Sequence, residues 1–96
     1  MDLKKYIARI KDFPADGVDF KDVTPLLNDV AAYRYAIDEM SKFVKECGAT
    51  VIVAPEARGF IFAAPVAVMT GTRLVLVRKP GKLPRKCHKV AYSLEY

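Results

Sequence analysis

The chain has 96 residues, of which 52% are hydrophobic and 28% charged. This length supports one modest hydrophobic core and is too short for two, and the composition excludes an intrinsically disordered or fibrous protein. No apolar stretch approaches the length of a membrane span and no signal-peptide core follows Met1, so we expect a cytoplasmic protein. Cys47 and Cys87 form no C-x-x-C pattern, which favours two reduced thiols over a disulfide or a zinc site.

Positive charge is concentrated towards the end of the chain. The net charge is +5, but residues 1–72 carry nine Lys/Arg against ten Asp/Glu. Residues 73–96 carry seven Lys/Arg against Glu95 alone. We therefore expect this last part to attract anions.

The first 27 residues predict two short helices separated by a loop. Asp2 can cap the first helix, whose apolar residues recur at helical spacing: Leu3, Tyr6, Ile7 and Ile10. Pro14 and Gly17 then predict a loop that runs to residue 22. Thr24 and Pro25 have the pattern of a helix cap followed by proline in the first turn, which predicts a brief helix through residue 27.

A long amphipathic helix is predicted next. Asn28 and Asp29 open it and Gly48 ends it. Asp38 and Glu39 are expected to face away from the core. The apolar face is predicted from the residues that recur every three to four positions: Val30, Tyr33, Ile37, Met40, Phe43 or Val44, and Cys47.

A βαβ unit follows. Val51 to Ala54 is a β-branched run typical of a buried parallel strand, and Pro55 to Gly59 predicts a tight turn. Phe60 to Thr70 is apolar on every side, which predicts a buried helix closed by Gly71. Leu74 to Val77 predicts the second strand, joined by a right-handed crossover. The fold class is α/β with a parallel sheet flanked by helices, in which ligands bind beyond the carboxyl ends of the strands.

The segment from Arg78 to Lys89 contains six Lys/Arg and one His. Pro80, Gly81 and Pro84 exclude a regular element, so a mobile basic loop is predicted. Val90 to Tyr96 is predicted to begin a returning strand.

Two loops at strand ends suit a phosphate group. Glu56-Ala57-Arg58-Gly59 lies where a strand ends and a helix begins, so backbone N–H groups, the helix dipole and a guanidinium converge there. Alternatively, Gly59 only makes a turn and Arg58 pairs with Glu56 on the surface. A second set of cations follows the next strand and is expected to rim the same crevice, unless it belongs to a solvated loop: Arg78, Lys79 and Lys82.

Five blocks in a fixed order carry a resemblance to a known family. They are DFP (12–14), GVDFKDVTPLL (17–27), EARGF (56–60), RKPGKLP (78–84) and YSLEY (92–96). Together they resemble the adenine phosphoribosyltransferases over essentially the whole chain. The resemblance implies a type I phosphoribosyltransferase-like fold and the transfer of phosphoribosyl from phosphoribosyl pyrophosphate to N9 of adenine, giving AMP and pyrophosphate. It also implies Mg²⁺ bound with phosphoribosyl pyrophosphate, and a homodimer.

The resemblance also implies roles for individual residues. The base would lie against Phe20, with backbone groups of Asp19 and Lys21 reading its edge and Val18 lining the pocket. Without the surrounding motif, Phe20 is interpreted as an ordinary core aromatic. The pyrophosphate loop would be Glu56, Ala57 and Arg58, with Arg58 contributing to catalysis, and Arg78, Lys79 and Lys82 would neutralise the leaving charge. Glu95 would handle a proton on the base and Tyr96 would cover the site; the alternative is a solvated pair at a loop end.

The chain also departs from the family pattern. The buried strand ending in two acids and the loop that wraps the ribose 5-phosphate are absent, so we interpret the sequence as an incomplete front part, inactive alone. Residues 85–89 are more basic than the family's hood loop, and His88 is expected to face solvent. Two other functions stay open: a module that binds nucleotides or nucleic acids non-specifically through the basic end, and a non-catalytic partner of full-length subunits. No specific nucleic acid, membrane or protein-bound metal is expected.

Overall fold

The structure is a computed structural model that describes residues 1–92. It contains two compact units, Met1–Ala36 and Ile37–Lys89, and residues 90–92 group with the first. The elements are a 3-10 helix at Leu3–Tyr6, β1 (Ala8–Lys11), β2 (Asp19–Asp22), α1 (Thr24–Leu27), α2 (Val30–Cys47), β3 (Val51–Pro55), α3 (Arg58–Thr70) and β4 (Arg73–Val77). None of the helices in the described part of the chain has the length and apolarity needed to cross a membrane.

The first unit is built around a β-hairpin, where the sequence predicted a helix and a loop. The helix ends at Tyr6, and β1 pairs antiparallel with β2, with Ile10 opposite Phe20. At the turn, the Phe13 N–H donates to the Val18 carbonyl at 3.1 Å. The helical spacing from Leu3 to Ile10 was misleading because long-range strand pairing outweighs weak local propensity.

Three charged side chains lie on one face of this hairpin. Asp19 Oδ2 is 2.7 Å from both Arg9 Nη2 and Lys21 Nζ. The hydrogen bond from Arg9, followed by that from Lys21, lowers the pKa of Asp19 from 3.8 to about 2. The hairpin therefore holds Asp19 ionised well below the usual range of a carboxyl group.

The short helix α1 begins at Thr24 itself, so the prediction that Thr24 caps it was wrong. Its cap position is Val23, which makes no side-chain hydrogen bond. The Asp22 carboxylate instead accepts from the Thr24 N–H at 2.9 Å and from its hydroxyl at 2.8 Å. These bonds lower the pKa of Asp22 and fix the chain as it leaves β2.

The ends of α2 confirm the predicted signals. Asp29 Oδ1 accepts from the Ala32 N–H at 2.9 Å, which satisfies a first-turn donor. At the other end, Gly48 has φ +69°. The Ala49 N–H donates to the Val44 carbonyl and the Gly48 N–H to the Lys45 carbonyl, which is the Schellman arrangement.

Only part of the predicted face of α2 is buried: Ile37 is buried and Tyr33 and Val44 are half-buried, as predicted. Val30, Met40 and Phe43 are 85%, 43% and 68% exposed. The buried positions are Ala32, Ala36, Ile37 and Ser41. These also follow helical spacing, but three of the four are small. The pattern of bulky residues therefore placed the buried stripe only partly correctly, because small side chains allow the closest approach of a neighbouring element, whatever their hydropathy.

The second unit confirms the predicted βαβ arrangement. β3 and β4 are parallel, with Val51 opposite Arg73 and Pro55 opposite Val77. The helix α3 starts at Arg58, earlier than predicted, and ends at a left-handed Gly71. It packs on both strands. The apolar residues buried in this unit's strand and α3 are Ala54, Ala63, Val66 and Ala67.

The strands and α3 are less buried than predicted. Val53 is 59% exposed and Val68 is 83% exposed. An open apolar cleft of about 480 Å³ is lined by α2, β3 and α3, including the consecutive residues Ile52, Val53 and Ala54. Because successive strand residues point to opposite faces, a cleft touching all three runs along the free edge of β3. Within the described residues β3 and β4 pair only with each other. The outer edge of each strand therefore has no strand beside it.

The segment after β4 is irregular, as predicted. The Lys82 N–H donates to the Lys79 carbonyl at 3.3 Å, and Gly81 has φ +82°. This turn suits Pro80 followed by glycine. Residues 90–92 form no strand, so that part of the predicted returning strand was wrong; residues 93–96 lie outside the described range.

We predict that the Asp19 carboxyl group titrates near pH 2 in NMR spectra of the folded chain. Its folded pKa is depressed, so its stabilising contribution is present above 3.8 and is lost as the pH falls towards 2. Replacing Arg9 with Gln removes the largest cause, and the pKa of Asp19 should rise towards its ordinary value. Lys45→Gln makes the same change in net charge on α2, is the control and should leave the titration unchanged; an equal shift in both variants would contradict the assignment.

Candidate functional site

The turn between β3 and α3 presents the start of a helix. Ala57 occupies the cap position of α3 and makes no side-chain cap hydrogen bond. Gly59 lets the helix start close to the strand, because a Cβ there would lie 3.0 Å from Pro55 Cδ. Arg58 is the first residue of α3 and is exposed. The loop thus offers first-turn N–H groups and a guanidinium at the carboxyl end of β3.

Glu56 links this turn to the segment after β4. Its N–H donates to the Val77 carbonyl at 3.0 Å, which extends the pairing of the two strands by one residue. Its Oε1 accepts from the Lys79 N–H at 2.6 Å and lies 3.4 Å from Arg78 Nε. The two loops predicted to share one crevice are therefore joined at the carboxyl edge of the sheet.

The surroundings of Glu56 are cationic. Its side chain is only 11% exposed. The hydrogen bond from Lys79 lowers its pKa most, burial opposes the shift, and the charges of Arg78, Lys82 and Lys79 lower it further. Glu56 thus stays ionised, and the cations around it are partly neutralised.

Arg78 is also held from a second side. Its guanidinium carbon lies 5.8 Å from the centre of the Phe60 ring, in the first turn of α3. Such a contact orients a guanidinium while leaving its N–H groups able to donate in the plane of the guanidinium. Arg78 is therefore positioned both by Glu56 and by the first turn of α3.

The residues predicted to contact a purine lie in the hairpin unit. The Phe20 ring is half-buried and meets the Phe13 ring edge-on, with centroids 5.2 Å apart. Val18 is half-buried as well, whereas Asp19 and Lys21 are exposed and paired with each other. Asp19, Phe20 and Lys21 thus lie on β2, and Val18 directly precedes this strand.

The backbone of β2 has a defined orientation. Successive strand residues direct their N–H and C=O groups alternately to the two edges. The Val18 carbonyl points towards the β1 side, where it accepts from Phe13. By alternation, the backbone groups of Asp19 and Lys21 point to the outer edge of the hairpin, which within the described residues has no strand partner.

The structure also shows residues that sequence reasoning did not place at the site. Arg9 binds Asp19, Phe13 packs on Phe20, and Phe60 supports Arg78. Phe13 and Phe60 were visible within the recognised blocks, but only the fold shows what they contact. Arg9 gave no signal because its pairing depends on the hairpin, which was not predicted. The predicted Glu95 and Tyr96 lie outside the described residues.

Comparisons with known proteins agree with the resemblance. No protein-family model matches the chain. The adenine phosphoribosyltransferase of Mesoplasma florum is 69% identical over 96 residues, which is all of this chain and 56% of the relative. That of Mycoplasma capricolum is 56% identical over the same span. The chain therefore spans about half the length of these curated relatives.

Solved structures show the same relationship. The adenine phosphoribosyltransferase of Thermoanaerobacter pseudethanolicus matches 98% of this chain and 55% of its own, with 47% identity and a TM-score of 0.91. The Saccharomyces cerevisiae enzyme, crystallised with adenine and an imino-altritol bisphosphate, matches 91% of this chain and 54% of its own, with 33% identity and a TM-score of 0.83. By sequence and by fold, therefore, this chain is similar to about half of an adenine phosphoribosyltransferase.

Proposed function

We propose that the chain is the base-binding and pyrophosphate-binding part of an enzyme of purine salvage. The reaction transfers phosphoribosyl from phosphoribosyl pyrophosphate to adenine and releases AMP and pyrophosphate. The observation that carries the proposal is the joining of the Glu56 turn and the Arg78 segment at one edge of a parallel sheet. Relatives with this name match the whole chain, and the Saccharomyces cerevisiae relative was crystallised with adenine.

The loops of the second unit suit the leaving pyrophosphate. Arg78, Lys79 and Lys82 supply positive charge from one side, and the start of α3 supplies backbone N–H groups and Arg58 from the other. Pyrophosphate carries away negative charge as the bond to the sugar breaks. Fixed donors aimed at that charge stabilise the transition state without reorganising.

The hairpin suits a planar base. Phe20 offers an aromatic surface, and Phe13 fixes its ring from the edge. The outward backbone groups of Asp19 and Lys21 provide both donors and acceptors, which can distinguish adenine from purines with an oxo group. Base stacking on an aromatic ring contributes about 1–3 kcal/mol per base.

The proposed chemistry needs no covalent nucleophile. Positive charge develops at the anomeric carbon and negative charge on pyrophosphate, so positioning and electrostatics supply the catalysis. In this scheme Arg58 acts on the pyrophosphate, Glu95 handles the proton of the base, and Tyr96 covers the site.

Magnesium enters this scheme with the substrate. Within residues 1–92, no group of three His, Cys, Asp or Glu side chains could hold a metal ion. The phosphate oxygens of phosphoribosyl pyrophosphate are themselves suitable ligands for Mg²⁺, which commonly binds through substrate phosphates. The proposal further places the protein in the cytoplasm as a homodimer.

We predict that Phe20→Ala weakens adenine binding about tenfold or more, because the stacking surface is lost. Isothermal titration of adenine into the purified chain measures this, with hypoxanthine as the competitor that should bind more weakly. Phe43→Ala removes an exposed ring from α2 and is the matched control. Equal affinities for adenine in all three proteins would contradict the assignment of the base site.

We predict that Arg78→Gln weakens pyrophosphate binding about tenfold, the value of one charge-assisted hydrogen bond. Arg73→Gln makes the same change in net charge at the opposite end of β4 and should have little effect. If both variants lose affinity equally and the binding falls steeply with salt, the basic segment acts as a non-specific polyanion site. That result would support the nucleic-acid-binding alternative over the enzyme.

A further inference from the structure

The Glu56 carboxylate occupies the centre of the cationic cluster. It accepts from the Lys79 N–H at 2.6 Å and lies 3.4 Å from Arg78 Nε. The charge of Lys82 acts on it as well. A backbone N–H, a guanidinium and ammonium groups are the donors that proteins commonly use to bind phosphate oxygens. The carboxylate therefore stands where an anionic ligand of this cluster would place an oxygen.

The Lys79 N–H can donate a strong hydrogen bond to only one acceptor at a time. The Lys79 N–H has a single proton, and it already points at Glu56. A phosphate oxygen that bound the same group would have to displace the carboxylate or lie beside it, where two negative charges repel. The carboxylate and an incoming anion are thus alternatives for the same donor.

From this geometry we propose that Glu56 is an internal competitor for the anion site. It holds the Lys79 N–H and Arg78 in position while the site is empty, and an incoming diphosphate takes these donors from it. The inference rests on the proposed function, because it takes a diphosphate as the ligand. The contact of Arg78 with Phe60 does not involve Glu56, so it can keep the guanidinium oriented after the carboxylate moves away.

This competition has two consequences. The donors are pre-ordered, which reduces the entropy lost when the ligand binds. The displaced carboxylate also favours return to the empty state, which lowers the affinity for pyrophosphate and speeds its release. A glutamate at this position therefore promotes turnover at the expense of tight product binding.

The test is a titration of inorganic pyrophosphate into the purified chain and its Glu56→Gln variant at neutral pH and constant ionic strength. Glutamine keeps an oxygen for the Lys79 N–H but removes the negative charge. We expect the variant to bind pyrophosphate roughly fivefold more tightly, because one nearby negative charge that repels the ligand is removed. Glu46→Gln makes the same change in net charge on the last turn of α2 and should alter the affinity less than twofold.

A second measurement uses the unmodified chain, so it does not depend on how the variant folds. In NMR spectra, pyrophosphate should shift the Lys79 amide proton and the Glu56 carboxyl carbon together. The inference is overturned if Glu56→Gln binds pyrophosphate no more tightly than the unmodified chain, if neither protein binds it, or if the Lys79 amide responds while the Glu56 carboxyl does not. The adenine titration tests the base site separately. The proposed function can therefore stand or fall independently of the role inferred for Glu56.

Discussion

The parallel pairing of β3 with β4 is the constraint on which the candidate anion site depends. Because Pro55 lies opposite Val77, the next residues of each strand, Glu56 and Arg78, leave the sheet side by side. The hydrogen bond from the Glu56 N–H to the Val77 carbonyl extends this pairing into the loops. A shift of one residue in register would separate the carboxylate from the Lys79 N–H and would move the guanidinium away from Phe60.

The sequence could predict those elements whose signals are local. Asp29 and Gly48 bound α2 because capping acts within one turn, and β-branched runs separated by an apolar helix identify the parallel pair. The hairpin was missed because its strands are short, and the decisive pairing of Ile10 with Phe20 spans a loop. The buried face of α2 was predicted only in part, at Ile37, because burial of alanine and serine depends on what packs against them, which periodicity does not report.

The candidate site was predictable to a similar extent. Adjacent strand ends place the Glu56 turn beside the Arg78 segment, so the adjacency of the two loops follows from the βαβ arrangement alone. The partner of Glu56 does not follow from it, because a carboxylate among several cations can pair in many ways. The sequence left open a pairing of Glu56 with Arg58, whereas the carboxylate lies against Lys79 and Arg78. For Phe20, the half-buried ring beside Phe13 fits both a core residue and the proposed base platform, and the support for the second is the similarity to adenine phosphoribosyltransferases.

The most direct measurement of the central claim, that two strand-end loops form one anion site, is a map of backbone amide shifts as pyrophosphate is added to isotope-labelled chain. If the two loops form one site, the shifts should concentrate in residues 56–60 and 78–82 and saturate together with one dissociation constant. Shifts spread evenly over residues 82–89, or two sets that saturate at different concentrations, would show that the basic segment binds anions by itself and would contradict a shared site.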